Sequence, residues 1–260
     1  MKATPYEDIN KVLRSLETGI VGIFGKNLIG LYLTGSLSYS DFNPESSDID
    51  LLVVLNKPVA KEEIKLIKQL HQKVGKENEK WANRVECSYI PVKMLKNILP
   101  PKLPRPYFGE SILYPEAPYG NEWLINNYLL QKHGITLIGP DFKTLVKPID
   151  IADVQKACIR DLSKEWQPKI ADLNYLENSH YQSYVVLNLC RILYTILCEE
   201  TASKKVSANW VKNEFKQWKN LIETAEKWHY GLELKLQEQT KDFIKFVINK
   251  VKSRESECQS

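Results

Sequence analysis

The 260-residue sequence lacks the segments that would direct it to a membrane or out of the cell. No run of apolar residues approaches the length that spans a bilayer. Residues 1–9 are acidic and polar where a secretory signal peptide would need an apolar core, so we expect no such signal. These absences predict a cytoplasmic protein without a membrane partner.

Cysteine and histidine are too scattered to predict a structural zinc site. The sequence has five cysteines without a Cys-x-x-Cys pair, and its four histidines are dispersed. We therefore expect reduced thiols, three or four of them in the core. The cysteines are Cys87, Cys158, Cys190, Cys198 and Cys258.

The chain also lacks a strong charge of either sign. Its formal net charge is +4, with 43% hydrophobic and 26% charged residues, which is typical of a globular protein. A mildly basic balance suits an anionic ligand such as a nucleotide, but it is too small to indicate a nucleic-acid partner. We expect no nucleic-acid partner, and we expect a monomer.

The two common phosphate-binding loops are missing, and another glycine motif stands in their place. No Gly-Lys-Ser/Thr and no Gly-x-Gly-x-x-Gly occurs in a phosphate-loop context. Instead, Gly35-Ser36 is followed, after residues 37–47, by Asp48-Ile49-Asp50. Glycine lets the backbone approach a phosphate closely, and a serine hydroxyl can donate a hydrogen bond to it.

Two apolar segments flank this motif and predict adjacent strands. Residues 28–33 form one and residues 49–55 the other. Because side chains alternate faces along a strand, Asp48 and Asp50 should point the same way. Two neighbouring carboxylates repel each other unless a cation lies between them, and Mg²⁺ with a nucleotide triphosphate fits this arrangement. The alternative is ordinary turn chemistry at the start of a strand.

A third carboxylate of interest is Glu86, in the alternating segment 84–91. If this segment is a strand beside the Asp48 strand, Glu86 can join the metal ligands or accept the proton of an attacking hydroxyl. The alternative is an exposed strand residue paired with Arg84.

The remaining sequence divides into a mixed half and a helical half. Helices are predicted over residues 6–21, 64–74 (with Gly75 as its stop) and 122–133, and a strand over 135–140. The Pro-rich residues 91–118 lack periodicity and are expected to be a loop, which either walls a pocket with aromatic side chains or wraps the domain. Beyond Pro148 only helical periodicity remains, over residues 151–162, 184–197, 206–218, 221–229 and 232–251.

These elements predict an α+β fold. A mixed sheet flanked by helices should form a catalytic domain over residues 1–150, and an all-helical bundle should follow over residues 151–260. We expect the ligand cleft between the two domains.

Two segments of the helical half indicate a particular family. They are residues 185–194 (VVLNLCRILY) and 202–210 (ASKKVSANW). Together with the Gly35-Ser36 and Asp-x-Asp motif, they resemble aminoglycoside nucleotidyltransferases (adenylyltransferases) of the streptomycin/spectinomycin type, within the nucleotidyltransferase superfamily. The resemblance implies an antibiotic-resistance enzyme that transfers AMP from ATP, with Mg²⁺, to a hydroxyl of the drug.

The resemblance also implies roles for individual residues. Asp48 and Asp50 would hold the metal ions, and Glu86 would be a third ligand or the base. Gly35 and Ser36 would position the triphosphate. Two cations from the helical half would contact the nucleotide; these are Lys204 and Arg191.

One departure from the family concerns the acceptor. The family carries acidic residues just before the VVL helix, where they bind the cationic drug, whereas residues 180–184 here read HYQSY. The acceptor therefore stays open between an aminoglycoside and another hydroxyl compound, including a protein or a nucleic acid. A non-catalytic nucleotide-binding module is the third alternative, which the retained acids Asp48, Asp50 and Glu86 disfavour.

Overall fold

The computed structural model describes residues 3–39, 41–81 and 83–257, which group into two compact units. One unit comprises residues 1–42 and 47–148, and the other comprises residues 149–260 together with 43–46. The domain boundary proposed at residue 150 stays a prediction.

The first unit is built on a mixed sheet. In the described part of the chain the sheet has six strands in the order β5-β4-β3-β2-β1-β6. β2 and β3 run parallel, and every other neighbouring pair is antiparallel. The strands are β1 (Leu28–Thr34), β2 (Ile49–Leu55), β3 (Val85–Pro91), β4 (Arg105–Gly109), β5 (Ile112–Ala117) and β6 (Ile135–Ile138).

Two long helices cover one face of this sheet. They are α1 (Glu7–Phe24) and α2 (Lys61–Glu77), and their apolar side chains share a core with alternate residues of the central strands. Leu31, Ile49, Val53, Cys87 and Tyr89 are each fully buried in this core. Alternation therefore directs the intervening residues of the same strands to the opposite face.

Helix α3 (Trp123–His133) and the segment after β6 pack on the opposite face. Tyr32, Val54 and Ile90 are fully buried there. Further along the same face, Asp50 and Glu86 are half-buried. Asp50 and Glu86 thus form an acidic surface on two neighbouring strands of this face.

Part of the Pro-rich segment 91–118 is a hairpin, over residues 105–117, where its composition predicts a loop, whereas residues 97–104 contain neither helix nor strand. β4 and β5 pair through it, and Glu110 and Ser111 adopt left-handed backbone angles (φ 52° and 62°) at the turn, as in the hairpin turns that match strand twist. Pro106 lies where the register shifts between Arg105 and Tyr107. Pro115 lies in the edge strand, where a missing N–H costs no ladder hydrogen bond.

The second unit is helical, as predicted, and side-chain caps set where several helices begin. Asn178 accepts a hydrogen bond from the backbone N–H of His180 (2.8 Å), and Ser203 accepts one from that of Val206 (3.2 Å). These caps start the helices earlier than their apolar positions suggest. The helices are α4 (Ile151–Asp161), α5 (Leu173–Glu177), α6 (Ser179–Cys198), α7 (Lys204–Glu214), α8 (Lys219–Glu226) and α9 (Gln237–Glu257).

The mixed sheet followed by a helical region confirms the predicted fold class. Among the smaller expectations, the stop at Gly75 is wrong, because α2 continues to Glu77. None of the helices among the described residues has the length and apolarity needed to cross a bilayer.

The cysteines within the described residues are free thiols. Cys87, Cys158 and Cys190 are buried and Cys198 is half-buried, as expected for core positions. Burial raises the pKa of the Cys87 thiol to about 12, so that thiol stays protonated. The prediction for Cys258 lies outside the described residues.

Candidate active site

Gly35 brings the turn after β1 against the carboxylate of Asp50. Thr34 and Asp50 are paired across β1 and β2, and Gly35 follows with φ at 65°, a left-handed angle that favours glycine. A Cβ placed on Gly35 would lie 2.7 Å from Cγ of Asp50 and would overlap its Oδ2. The two halves of the motif are therefore in contact, and a larger residue at position 35 would displace the acid.

Ser36 lies beside this contact, in a short 3₁₀ turn formed by Gly35–Leu37. The turn is closed by Ser38, whose hydroxyl donates to the carbonyl of Gly35 at 2.8 Å. Ser36 itself is half-buried, and its carbonyl accepts from the backbone N–H of Asp41 at 3.0 Å. The motif thus forms a hydrogen-bonded corner at the edge of the acidic surface.

Asp50 and Glu86 are neighbours across the parallel strands β2 and β3. They are partners in the strand register and share the face that the long helices leave uncovered. Adjacent strands lie about 4.8 Å apart, so both carboxylates can reach one small ligand. A joint role for the two acids requires the strand of Glu86 to lie beside the strand of Asp50, and β3 does lie beside β2.

Tyr107 completes this surface and was missed in the sequence. It pairs with Ser88 across β3 and β4, and its hydroxyl donates a hydrogen bond to the Glu86 carboxylate. Burial, followed by the charge of Glu86, raises the pKa of the Tyr107 hydroxyl far above its usual value. Tyr107 therefore stays a hydrogen-bond donor.

Asp48 lies beside Arg84. Its Oδ1 lies 3.8 Å from Nε of Arg84, whose guanidinium also lies 4.6 Å from the centre of the Trp81 ring. Arg84 therefore contacts Asp48, whereas the alternative considered from sequence paired it with Glu86. Asp48 precedes β2 and lies partly exposed at the end of the acidic surface.

The donor chemistry of this surface suits a hard divalent cation. Carboxylate oxygens are the ligands that Mg²⁺ prefers, and Asp50 and Glu86 present them on adjacent strands. Within the described residues no group of three or more Asp, Glu, His or Cys side chains is arranged to hold a metal ion. The assignment of Asp48, Asp50 and Glu86 as joint metal ligands stays a prediction.

The two predicted cations of the helical unit occupy adjacent helices. Lys204 is the first residue of α7, and its Nζ lies 4.6 Å from the centre of the Tyr184 ring on α6. Arg191 lies on α6 and is half-buried. Their roles toward a nucleotide stay predictions.

Aromatic residues occupy the segment where the family resemblance expects acids. His180 stacks on Trp228 with ring centres 4.5 Å apart, and Tyr181 stacks on Tyr175 at 4.4 Å. Burial, followed by the charge of Lys204, lowers the pKa of His180 to about 4, so this histidine is neutral near pH 7. The segment therefore offers neutral ring faces and no carboxylate.

The glutamine of this segment has a structural role. Gln182 is fully buried, donates to the carbonyl of Leu176 and accepts from the backbone N–H of Leu236, each at 2.8 Å. Its two hydrogen bonds tie α6 to the segments before and after it, and full burial keeps this side chain from a ligand.

Comparison with known families divides the chain in the same order as the fold. Residues 15–102 match the nucleotidyltransferase domain, and residues 144–254 match the C-terminal domain of aminoglycoside adenylyltransferases. The first match contains Gly35, Asp50 and Glu86, and the second contains Lys204.

Three curated relatives are spectinomycin 9-adenylyltransferases. The Campylobacter jejuni protein is 27% identical over 214 residues, which cover 79% of this chain and 77% of the relative. The Enterococcus faecalis protein is 27% identical, with 79% of each chain covered. A Staphylococcus aureus protein is 26% identical over 77% of this chain and 76% of its own length.

The fold also matches a solved structure. The crystal structure of a spectinomycin adenyltransferase from Enterococcus with ATP and spectinomycin superimposes with a TM-score of 0.72 at 22% identity, covering 95% of this chain and 99% of the other. Together the matches confirm the fold and the enzyme class expected from the sequence, a nucleotidyltransferase of the adenylyltransferase type.

Proposed function

We propose that this protein transfers AMP from ATP to a hydroxyl of spectinomycin and thereby inactivates the drug. The observation that carries this proposal is the contact of Gly35 with Asp50 beside Glu86, within a domain that matches nucleotidyltransferases. The similarity to three spectinomycin 9-adenylyltransferases supports the donor and the acceptor.

The chemistry follows from what each residue can hold or move. The acceptor oxygen attacks the α-phosphorus in line, an O–P bond forms, and the bond to pyrophosphate breaks with pyrophosphate taking the electron pair. Glu86 accepts the hydroxyl proton in this step. The corner at Gly35 and Ser36 positions the triphosphate close to Asp50.

The cation completes the charge balance. Asp48, Asp50 and Glu86 are the residues that would hold Mg²⁺, which when bound neutralises the phosphates and the leaving pyrophosphate. Glu86 would then serve both as a ligand of the ion and as the base. Both roles depend on the orientation of its carboxylate.

Spectinomycin is favoured over streptomycin by the helical unit. A polycationic drug needs carboxylates to replace its counterions, and residues 180–184 offer aromatic rings and a structurally engaged glutamine instead. Spectinomycin lacks the guanidinium groups of streptomycin, so a neutral aromatic surface penalises it less.

The test is pyrophosphate release from ATP and Mg²⁺ with either drug. We expect release with spectinomycin, at least about tenfold weaker release with streptomycin, and none with Asp50→Asn, which keeps the fold and removes a charged ligand. Spectinomycin-independent activity, or wild-type turnover in Asp50→Asn, would contradict the proposal.

Binding of ATP without release for any drug would indicate a different acceptor. The same assay with protein and nucleic-acid acceptors then distinguishes the remaining nucleotidyltransferase alternatives. Binding of ATP without transfer to any acceptor would favour the non-catalytic module.

A further inference from the structure

The hairpin of β4 and β5 carries polar side chains onto the acidic surface. Tyr107 lies beside Ser88 in the sheet, and its hydroxyl donates to the Glu86 carboxylate. Its ring also faces Tyr114 of β5, with ring centres 6.3 Å apart. The hydroxyl therefore reaches Glu86 from a ring that the next strand holds in place.

Arg105 lies at the start of β4, before the register shift, and contacts the same face of the sheet through Ser88. Its Nε donates to the hydroxyl of Ser88 at 3.4 Å, and its Nη1 donates to the carbonyls of Ala117, at 3.3 Å, and Pro118. The guanidinium lies 4.4 Å from the ring centre of Tyr119 and 5.2 Å from that of Tyr107. Five contacts, with residues of three strands and the loop after β5, thus restrain this side chain.

The charge of Arg105 also lies on the face of β3 that carries Glu86, because Ser88 and Glu86 share that face. Burial lowers the pKa of its guanidinium, and the nearby groups that oppose this shift include Tyr119, Glu122 and Glu86. An arginine remains protonated in proteins, so Glu86 lies in the field of a fixed positive charge. The carboxylate consequently has a hydroxyl donor and a cation on the side of the hairpin.

We propose that Tyr107 is a positioning residue for Glu86, and that Arg105 fixes the tyrosine ring and the hairpin behind it. A carboxylate has two oxygens with several lone pairs, so one hydrogen bond from Tyr107 leaves sites for the acceptor hydroxyl. A single bonded orientation keeps Glu86 aimed at the reacting hydroxyl, and loss of that orientation slows the chemical step more than it weakens binding. This inference rests on the proposed function for its catalytic consequence.

The kinetic test is Tyr107→Phe with Tyr114→Phe as its matched control. Both variants keep the stacked rings and lose one hydroxyl. Of the two tyrosines, Tyr107 is the one whose hydroxyl donates to Glu86. We expect the kcat of Tyr107→Phe to fall about 10–100-fold, as for partners that orient a reactive ligand. Its KM values for ATP and spectinomycin should stay within roughly twofold, and Tyr114→Phe should retain wild-type kcat.

A double-mutant cycle tests the contact without any turnover. The unfolding midpoints of Tyr107→Phe, Glu86→Gln and the double variant are compared with that of the wild type. If Tyr107 holds Glu86, the losses of the single variants do not add. Additive losses, wild-type kcat in Tyr107→Phe, or equal losses of kcat in both tyrosine variants would overturn the inference.

The two proposals fail differently. Wild-type protein that releases no pyrophosphate with spectinomycin contradicts the proposed function. The cycle then still decides whether Tyr107 positions Glu86, because it measures their coupling in the unliganded protein.

Discussion

At the scale of single residues, the contact between Gly35 and Asp50 predicts a severe effect of one methyl group. Gly35→Ala adds a Cβ that overlaps the Asp50 carboxylate, on a backbone at φ 65°. We expect a loss of about 1–3 kcal/mol in the free energy of unfolding and at least about a tenfold loss in kcat/KM. Urea unfolding and pyrophosphate release measure the two effects.

Gly22→Ala is the matched control for that substitution. Gly22 lies in α1, and a Cβ there meets nothing within 4 Å. Alanine is the better helix former, so this variant should gain about 0.5–1 kcal/mol and keep full activity. Equal behaviour of the two variants would show that the approach of Gly35 to Asp50 is dispensable.

At residue scale the sequence predicted a joint role for Asp50 and Glu86, which stays a prediction, but it did not indicate Tyr107 as the hydrogen-bond partner of Glu86. Alternation along a strand predicts which face of its own strand each acid occupies. The register of β2 and β3 then places Asp50 and Glu86 side by side. Tyr107 was hidden because it lies next to Pro106, in a segment whose composition predicts a loop. Its role depends on the pairing of β4 with β3, which local sequence does not encode.

At the scale of elements, the packing of α2 against the sheet predicts acid sensitivity. His71 of α2 is buried, stacks on Phe108 with ring centres 3.8 Å apart and lies 2.7 Å from the Tyr89 hydroxyl. Burial lowers its pKa to about 3, against about 6.5 in an unfolded chain. Between these values the unfolded chain binds a proton at residue 71 that the folded protein excludes.

Stability should therefore fall as the pH drops below about 6.5, and His71 alone should remove about 2 kcal/mol by pH 5. Below about pH 3 the folded protein also takes up this proton, so the loss contributed by His71 stops growing. Urea unfolding of His71→Gln should show a flatter dependence on pH than the wild type. The exposed His229, changed in the same way, is the matched control. An unchanged slope in His71→Gln would contradict this account.

Helices and central strands are predictable because one chain segment carries their whole signal. β2 coincides with its predicted residues, 49–55, because it is a continuous apolar run. The hairpin of β4 and β5 was missed because prolines are tolerated at an edge strand and a register shift, and the turn uses Glu110 and Ser111 in place of glycine. Such tolerance comes from tertiary context, which composition does not show.

At the scale of the whole molecule, the change from mixed to helical periodicity after Pro148 gave the fold class. The order of the sheet did not follow from it, because β6 pairs with β1 across most of the first unit in sequence. Periodicity does not indicate an enzyme class. The resemblance carried by residues 185–194 and 202–210 predicted one, and the two matched domains agree with that prediction. The acceptor depends on a few side chains and remained open.

The helical unit should also determine the affinity for ATP, through Lys204. A hydrogen bond from a lysine to a phosphate contributes about 1.5–3 kcal/mol, so Lys204→Ala should raise the KM for ATP about tenfold or more. The KM for spectinomycin should change little. Lys205→Ala is the matched control, because it removes the same charge from the next residue of α7, whose side chain is exposed.

Steady-state kinetics with each substrate varied in turn separates these effects. Equal rises in KM for both lysine variants would indicate a general contribution of positive charge, which salt would screen. A rise confined to Lys204→Ala would assign the nucleotide contact to that side chain. Since its Nζ lies over the Tyr184 ring, a contact with ATP must compete with this cation–π contact, and Tyr184→Leu should lower the KM for ATP.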